Sequence, residues 1–330
     1  MGFSVGIGLT NDCNLNCAHC YRDTERVWSI SLEQVKRICE TIPVDSMGMG
    51  TGENALHPEF IPIVEYLRNT HIRLSIASNG YSLTVMPEEI LTAFRDVEVS
   101  IDHPSQAEQD GWRGKGNWAL VHQAIERCLR LGIEVSILAT LMKTNYQEMD
   151  EMVGLARRNG VNLRVNAYQA VKTDTYRLSY QEFWEGYRRL LAEGLVISCS
   201  EPVVRAVLGL EQVQSPCGRH SIRFNPRGQV IPCVYWPANG HTPPTLEDLF
   251  RLGDRVVEDS SFELARQIPT GAANCPCQGG CASRRALNQN LEGHDPYCPW
   301  VREEALLLEW KAGPRKDLMR AGNVCTTIVN

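Results

Sequence analysis

Cysteine carries the chemistry of this 330-residue sequence, which contains thirteen of them. Three lie together in Cys13-Asn-Leu-Asn-Cys17-Ala-His-Cys20, a C-x3-C-x2-C run. Three thiolates on one short loop can wrap a single metal centre, whereas a structural zinc site closes on four protein ligands. A set of three leaves one position open, as in a centre that binds something besides the protein. Six more, Cys217, Cys233, Cys275, Cys277, Cys281 and Cys298, fall in the last third. Cys39, Cys128, Cys199 and Cys325 are isolated in sequence and read as small buried hydrophobes on helix or strand faces.

Thirteen thiols without a secretory signal point to a reducing compartment and to metal ligation rather than a disulfide framework. The start MGFSVGIGLTND lacks a basic n-region and a long apolar run, and no stretch approaches the roughly 18 apolar residues of a membrane span, so a cytoplasmic protein without a span is expected. The net charge of −6 offers no electrostatic reason to expect nucleic acid. With 43% apolar and 22% charged residues the chain can bury a full core.

The elements that must position these thiols read as alternating strands and helices up to about residue 178, the signature of βα units on a parallel sheet. Strands are expected over 3–10, 45–51, 73–79, 97–102, 134–142 and 162–169, and helices over about 31–42, 59–70, 88–96, 117–132 and 146–159. Ser31 with Gln34 forms a capping-box pattern, Asn117 and Asn145 are candidate N-caps, and Gly132 and Gly160 are candidate helix stops. Six units suit a partial or open (β/α)6 TIM-like barrel in an α/β fold, with chemistry gathered at the C-terminal ends of the strands. Residues 179–194 read as a bridging helix, 221–235 as a hairpin around Asn225-Pro226-Arg227-Gly228, and about 245–257, 260–267, 282–291 and 300–311 as helices. The expected division is 1–178, 179–212 and 213–330, the last cysteine-rich.

A [4Fe–4S] cluster on three cysteines leaves one iron for an external ligand. The run Cys13, Cys17, Cys20, with His19 and Tyr21 flanking the last thiol after a first strand, resembles the radical S-adenosylmethionine (SAM) enzymes. That resemblance implies a [4Fe–4S] cluster whose open iron is chelated by SAM, and reductive cleavage of SAM to a 5′-deoxyadenosyl radical that takes a substrate hydrogen. Thr51-Gly52-Glu53-Asn54 resembles the family's G-G-E-P motif, departing at two of four positions while keeping the carboxylate for the SAM amino group. By the same resemblance Ser78, Asn79, Ser100 and Asp102 face SAM at strand ends, and Arg113 pairs with its carboxylate. Each of Ser78, Asn79, Ser100 and Asp102 can equally cap a following turn. His57, His103 and the aromatics of 176–187 read as structural.

Cys217 and Cys233, spaced C-x10-G-x4-C, with Cys275, Cys277, Cys281 and Cys298, resemble the SPASM and shorter twitch extensions of these enzymes, which hold auxiliary iron–sulfur clusters. The full extension has C-x2-C-x5-C-x3-C where this chain has C-x-C-x3-C, and Cys275 matches no standard position. Six thiols complete one cluster, through Cys217, Cys233, Cys281 and one more, or serve two clusters with positions filled otherwise; one is favoured. A zinc ribbon is the alternative.

The resemblance implies a flavodoxin- or ferredoxin-type electron donor and a peptide or small-metabolite substrate, with oxidation, crosslinking and epimerisation among the peptide outcomes. Haem precursors or aminoglycosides are the alternative substrates. With the cluster starting at residue 13 no N-terminal leader-recognition domain is expected, and a separate recognition protein would serve instead. Val234 and Tyr235 follow Cys233 where some peptide-oxidising relatives carry a catalytic Asp, which makes Tyr235 a candidate acid/base or radical relay. From another class, a non-enzymatic binding protein with zinc at both cysteine groups competes with the enzyme reading.

Overall fold

The computed structural model describes residues 2–211, 217–237, 242–314, 316–318 and 325–330. Six strands, β1 (Phe3–Ile7), β2 (Val44–Met49), β3 (Arg73–Ser78), β4 (Phe94–Ser100), β5 (Glu134–Leu141) and β6 (Asn162–Ala167), run parallel, each beside the next in sequence. Helices cross over between them and bury the apolar sides of the strands, giving the expected α/β fold with six βα units. The sheet continues beyond both ends of this series. Past β6 lie β11 (Thr327–Val329), β7 (Leu195–Cys199) and β10 (Lys311–Ala312), and past β1 lie β8 (Ser221–Phe224) and β9 (Val230–Ile231). The eleven strands form an open order, so the six-unit barrel is partial.

Local chemistry accounts for many boundaries. Ser31 and Gln34 form the expected capping box before helix Leu32–Thr41, and Ser179 does the same with Glu182 before Tyr180–Glu193. Gly132 and Gly160 take left-handed φ of +71° and +66° just past helices Asn117–Arg130 and Met149–Arg158. The turn between β8 and β9 closes on Gly228 at φ +74°.

Several expectations are corrected. The helix over 88–96 is one turn, Glu88–Leu91, because Phe94 already pairs with Leu74 in the sheet. The helix over 300–311 is a single 3-10 turn, Trp300–Arg302; Glu303 adopts φ +53° and the chain runs on without a helix to β10. The helix over 282–291 is Ala282–Leu287, and the one over 245–257 is α-helical only to Leu252 before Gly253, at φ +63°, begins a 3-10 segment. Asn117 is not an N-cap: Gly116 holds that position, and the Asn117 side chain donates to Asn79 O at 3.0 Å and accepts from Gln109 at 2.7 Å. Asn145 makes no side-chain cap either, donating instead to Asp102 O and Thr140 O at 2.8 and 2.9 Å.

Two buried arginines stand out in the sheet. Arg164 on β6 pairs with Asp96 and Glu98 of β4 at 2.8 and 2.9 Å. Arg223 on β8 lies opposite Gly6 of β1, and a Cβ at Gly6 would fall on its guanidinium.

Candidate active site and cysteine clusters

Cys13, Cys17 and Cys20 occupy the loop that leaves β1, all half-buried. Arg22 holds this loop from below, donating Nη1 to Asn11 O at 3.1 Å and Nη2 to Leu15 O at 2.5 Å. Asn11 in turn donates to Asp23 O and Arg26 O at 2.9 and 2.7 Å and accepts the Trp28 N–H at 2.6 Å, so one buried amide staples both limbs of the loop. Burial pushes the Cys13 thiol up to about 11 and raises Cys17, so neither is ionised near neutrality. A metal centre must therefore displace their protons, and the nearby charges of Arg22 on Cys13 and Arg113 on Cys17 favour that step.

The three thiols line one cavity of about 180 Å³ at the C-terminal ends of the strands. Thr51, Gly52 and Glu53 after β2 reach it, as do Ser78 and Asn79 at the end of β3 and Ser100 at the end of β4. Arg113 lines it from the end of helix Gln106–Arg113, and Tyr235 from the segment after β9. Gly52 has φ +66°, and a Cβ there would meet Thr10 O at 2.5 Å, so only glycine lets this loop lie against the start of the cysteine loop.

Two acidic residues brace the elements around the cavity. The buried Glu53 carboxylate accepts Ser78 Oγ at 2.6 Å, Ser82 N at 2.8 Å and Asn79 N at 2.9 Å, binding the β2 and β3 loops together. Asp102 is fully buried outside the cavity wall, with Arg113 Nε and Nη2 both 2.8 Å from its Oδ2. Burial raises the Asp102 carboxyl, but Arg113 and then His19 oppose it and hold it below the usual range. With Nε and Nη2 engaged, Arg113 keeps Nη1 for a ligand in the cavity.

Residues 7–156 match the family described as the radical SAM superfamily. Those residues form a radical SAM domain. It is 26% identical over 345 aligned residues to the mycofactocin maturase MftC of Mycobacterium tuberculosis, a match covering 93% of this chain and 85% of the relative. Two solved structures share the fold. One is anSMEcpe with bound AdoMet and a Cp18Cys peptide, at TM-score 0.68 and 18% identity over 91% of this chain and 94% of that one. The other is Streptococcus suis SuiB bound to its precursor peptide SuiA, at TM-score 0.65 and 15% identity over 89% and 75%. The radical SAM assignment makes this chain an enzyme with a SPASM/twitch-type extension, a SAM-binding [4Fe–4S] cluster and auxiliary clusters as its cofactors.

The radical SAM cavity contains residues that no motif had singled out. Thr140 on β5 and Asn166, Tyr168 and Gln169 at the end of β6 complete its wall. The buried Asn166 Oδ1 and Gln169 Oε1 have no hydrogen-bond partner among the described residues. Orphaned acceptors on a cavity wall fit a polar ligand with donors, and three thiols at the same cavity fit a three-cysteine iron–sulfur cluster. Their signal in the sequence was position alone, polar residues where strands β5 and β6 end.

The extension gathers its thiols in two places. Cys275, Cys277 and Cys298 form one group, with Sγ–Sγ distances of 3.1, 3.3 and 3.7 Å. Contact with the Cys277 thiol is the main pull that brings Cys298 down to about 6, while Cys277 is pushed well up. The second group is buried and contains Cys217, Cys281 and Cys325, and the thiols of Cys217 and Cys281 also act on Cys233. Cys325, isolated in sequence, is thus buried beside two cysteines of the extension. Cys128 is buried in the main core, Cys39 packs against it, and Cys199 Sγ lies 3.3 Å from Thr327 Oγ1. His57 accepts the Glu59 N–H at 3.0 Å and His103 pairs with Glu148 at 2.8 Å. Among the described residues no helix is long and apolar enough to cross a membrane.

Proposed function

We propose that this radical SAM enzyme modifies a peptide, taking a hydrogen atom from a residue presented beside the Cys13, Cys17 and Cys20 loop. The observation that carries the reading is a pair of adjoining cavities. The cavity with the three thiols shares Tyr21, Arg22, Thr51 and Val234 with a second cavity of about 250 Å³, whose walls include Trp28, Trp236 and Arg227. A pocket of mixed polar, apolar and aromatic lining that shares wall residues with the first cavity suits an amino-acid side chain on an extended chain. MftC, whose name describes a maturase, and SuiB, solved with a precursor peptide, support the same substrate class.

A cluster on Cys13, Cys17 and Cys20 with SAM would supply one-electron C–S cleavage and hydrogen abstraction. The chain's own residues bind and orient. Arg113, fixed by Asp102, offers Nη1 to a carboxylate, and Glu53 keeps the β2 and β3 loops in one arrangement. Asn166, Gln169 and Ser100 present polar atoms to hydroxyl or amine donors. Tyr21, pushed up to about 12 by burial, stays neutral and hydrogen-bonds Thr51 at 2.8 Å at the boundary of the two cavities. Tyr235 packs edge-on against Tyr21 with ring centroids 5.2 Å apart, a position from which it can serve as acid/base or relay. A flavodoxin- or ferredoxin-type protein supplies the electron, and a separate protein recognises the leader.

The test is anaerobic incubation of the reconstituted enzyme with SAM, reductant and peptides encoded beside its gene, read by mass spectrometry. A mass change in the peptide, with 5′-deoxyadenosine formed, is expected. Turnover of a haem precursor or aminoglycoside with every such peptide unchanged would overturn the peptide reading.

A further inference from the structure

The second thiol group contains a residue that neither the motif nor the family match assigns. Cys325 precedes β11, which is antiparallel to both β6 and β7. Just before that ladder, Ser200 N donates to Thr326 O at 2.8 Å and Thr326 N to Ser200 Oγ at 3.2 Å. This places Cys325 in one buried cluster with Cys217 and Cys281. Cys217, Cys281 and Cys325 are buried together at 7%, 6% and 8% exposure. Cys233, equally buried at 6%, has the Cys217 and Cys281 thiols as its strongest charge neighbours. Three cysteines from three separate stretches of chain therefore cluster, with Cys233 as their buried charge neighbour, and Cys281 is held by its N–H donating to Asp295 at 2.8 Å.

An independent observation says that the occupant is anionic. Both Nη1 and Nη2 of the fully buried Arg223 lack a hydrogen-bond partner among the described residues. The groups whose negative charge would favour its ionised form are, in order, Cys233, Cys217, Tyr21 and Glu98. A guanidinium remains charged in proteins, and a buried charge without a partner is costly. Four thiolates around an iron–sulfur cluster would supply the missing negative charge.

We propose that Cys217, Cys233, Cys281 and Cys325 together ligate one complete auxiliary iron–sulfur cluster, with Arg223 as its buried counter-charge. Cys275, Cys277 and Cys298 then hold the other, with three protein thiols. The assignment ties β11 to the cluster, because the residue that would ligate it leads directly into the strand inserted between β6 and β7. It rests on the reading that the extension holds iron and sulfide.

The test compares wild type, Cys325→Ala, Cys325→Ser and Arg223→Gln, all reconstituted anaerobically as full chains. Iron and sulfide per chain are measured with Mössbauer and electron paramagnetic resonance spectra. Cys325→Ala is expected to lose one auxiliary cluster or leave it as a three-iron centre. Cys325→Ser is expected to retain the iron with a changed spectrum, since an oxygen ligand replaces sulfur. Arg223→Gln is expected to keep all the iron and lower that cluster's reduction potential, because a nearby positive charge favours the reduced form. Persistence of the SAM-sensitive signal of the first cluster reports that each variant is folded. Wild-type iron and spectra in Cys325→Ala would overturn the ligand assignment, and an unchanged potential in Arg223→Gln would overturn the counter-charge. If wild type itself carries iron only at the first cluster, or zinc on the four thiols, the auxiliary-cluster reading fails before Cys325 is in question.

Discussion

Arg113 places Nε and Nη2 on a single oxygen of Asp102, each at 2.8 Å, while the other Asp102 oxygen accepts the Thr140 N–H at 3.0 Å. The carboxylate thus joins β5 to the helix end that carries Arg113, and the arginine enters the SAM cavity already oriented. Asp102→Asn keeps the shape but gives up the charge. SAM affinity is expected to fall about 10-fold, or about 1.4 kcal/mol, with iron content unchanged, as read by equilibrium dialysis of anaerobic enzyme.

The same pair sets a pH expectation. Asp102 is held below its ordinary 3.8 in the folded chain, so its contribution to stability is present above that value and lost as pH falls through the lower folded one. Thermal unfolding followed from pH 7 to pH 5 should therefore show no difference in slope between wild type and Asp102→Asn attributable to this group. A divergence should appear only below about pH 4.

Replacing Cys13, Cys17 and Cys20 together by Ala removes all three thiols of the β1 loop. Formation of 5′-deoxyadenosine from SAM and dithionite should fall to background, while the iron bound in the extension remains. Both are read by chromatography and by iron analysis of the same sample.

Gly52→Ala puts a Cβ against Thr10 O at a left-handed φ of +66°. Strain of about 1–3 kcal/mol is expected there, relieved by moving the loop that faces the cavity. SAM binding should weaken by at least about 10-fold. A Gly111→Ala control, where an added Cβ meets nothing within 4 Å, should leave binding unchanged.

Arg284 bridges two buried carboxylates, Glu201 at 2.5 Å and Asp295 at 2.6 Å, and Asp295 also holds Cys281 N. Arg284→Met strands both acids. A loss of about 3–5 kcal/mol is expected in denaturant unfolding, together with reduced retention of auxiliary iron.

The six parallel strands were legible because each is a short β-branched run followed by a helix with its own start and stop chemistry, as at Ser31 and Gln34. The first thiol loop was legible because its three ligands lie within eight residues. Strands β7, β10 and β11 were missed, since runs of two to five residues carry too little periodicity to separate from loop. The helix expected over 300–311 failed for the opposite reason: its apolar spacing was present, but the backbone turns at Glu303.

Taken alone, the amino-acid sequence determined the order of the βα units, the three-cysteine loop after the first strand and the presence of a thiol-rich extension. These depend on neighbours along the chain, through side-chain period, capping and ligand spacing. Tertiary structure alone decided that Asp102 stands behind Arg113, that Asn166 and Gln169 turn unpartnered acceptors to the cavity, and that Cys325 joins Cys217 and Cys281. Each joins residues that spacing cannot relate, and Cys325 reaches its partners only because β11 pairs with β6 and β7, more than a hundred residues earlier in the chain.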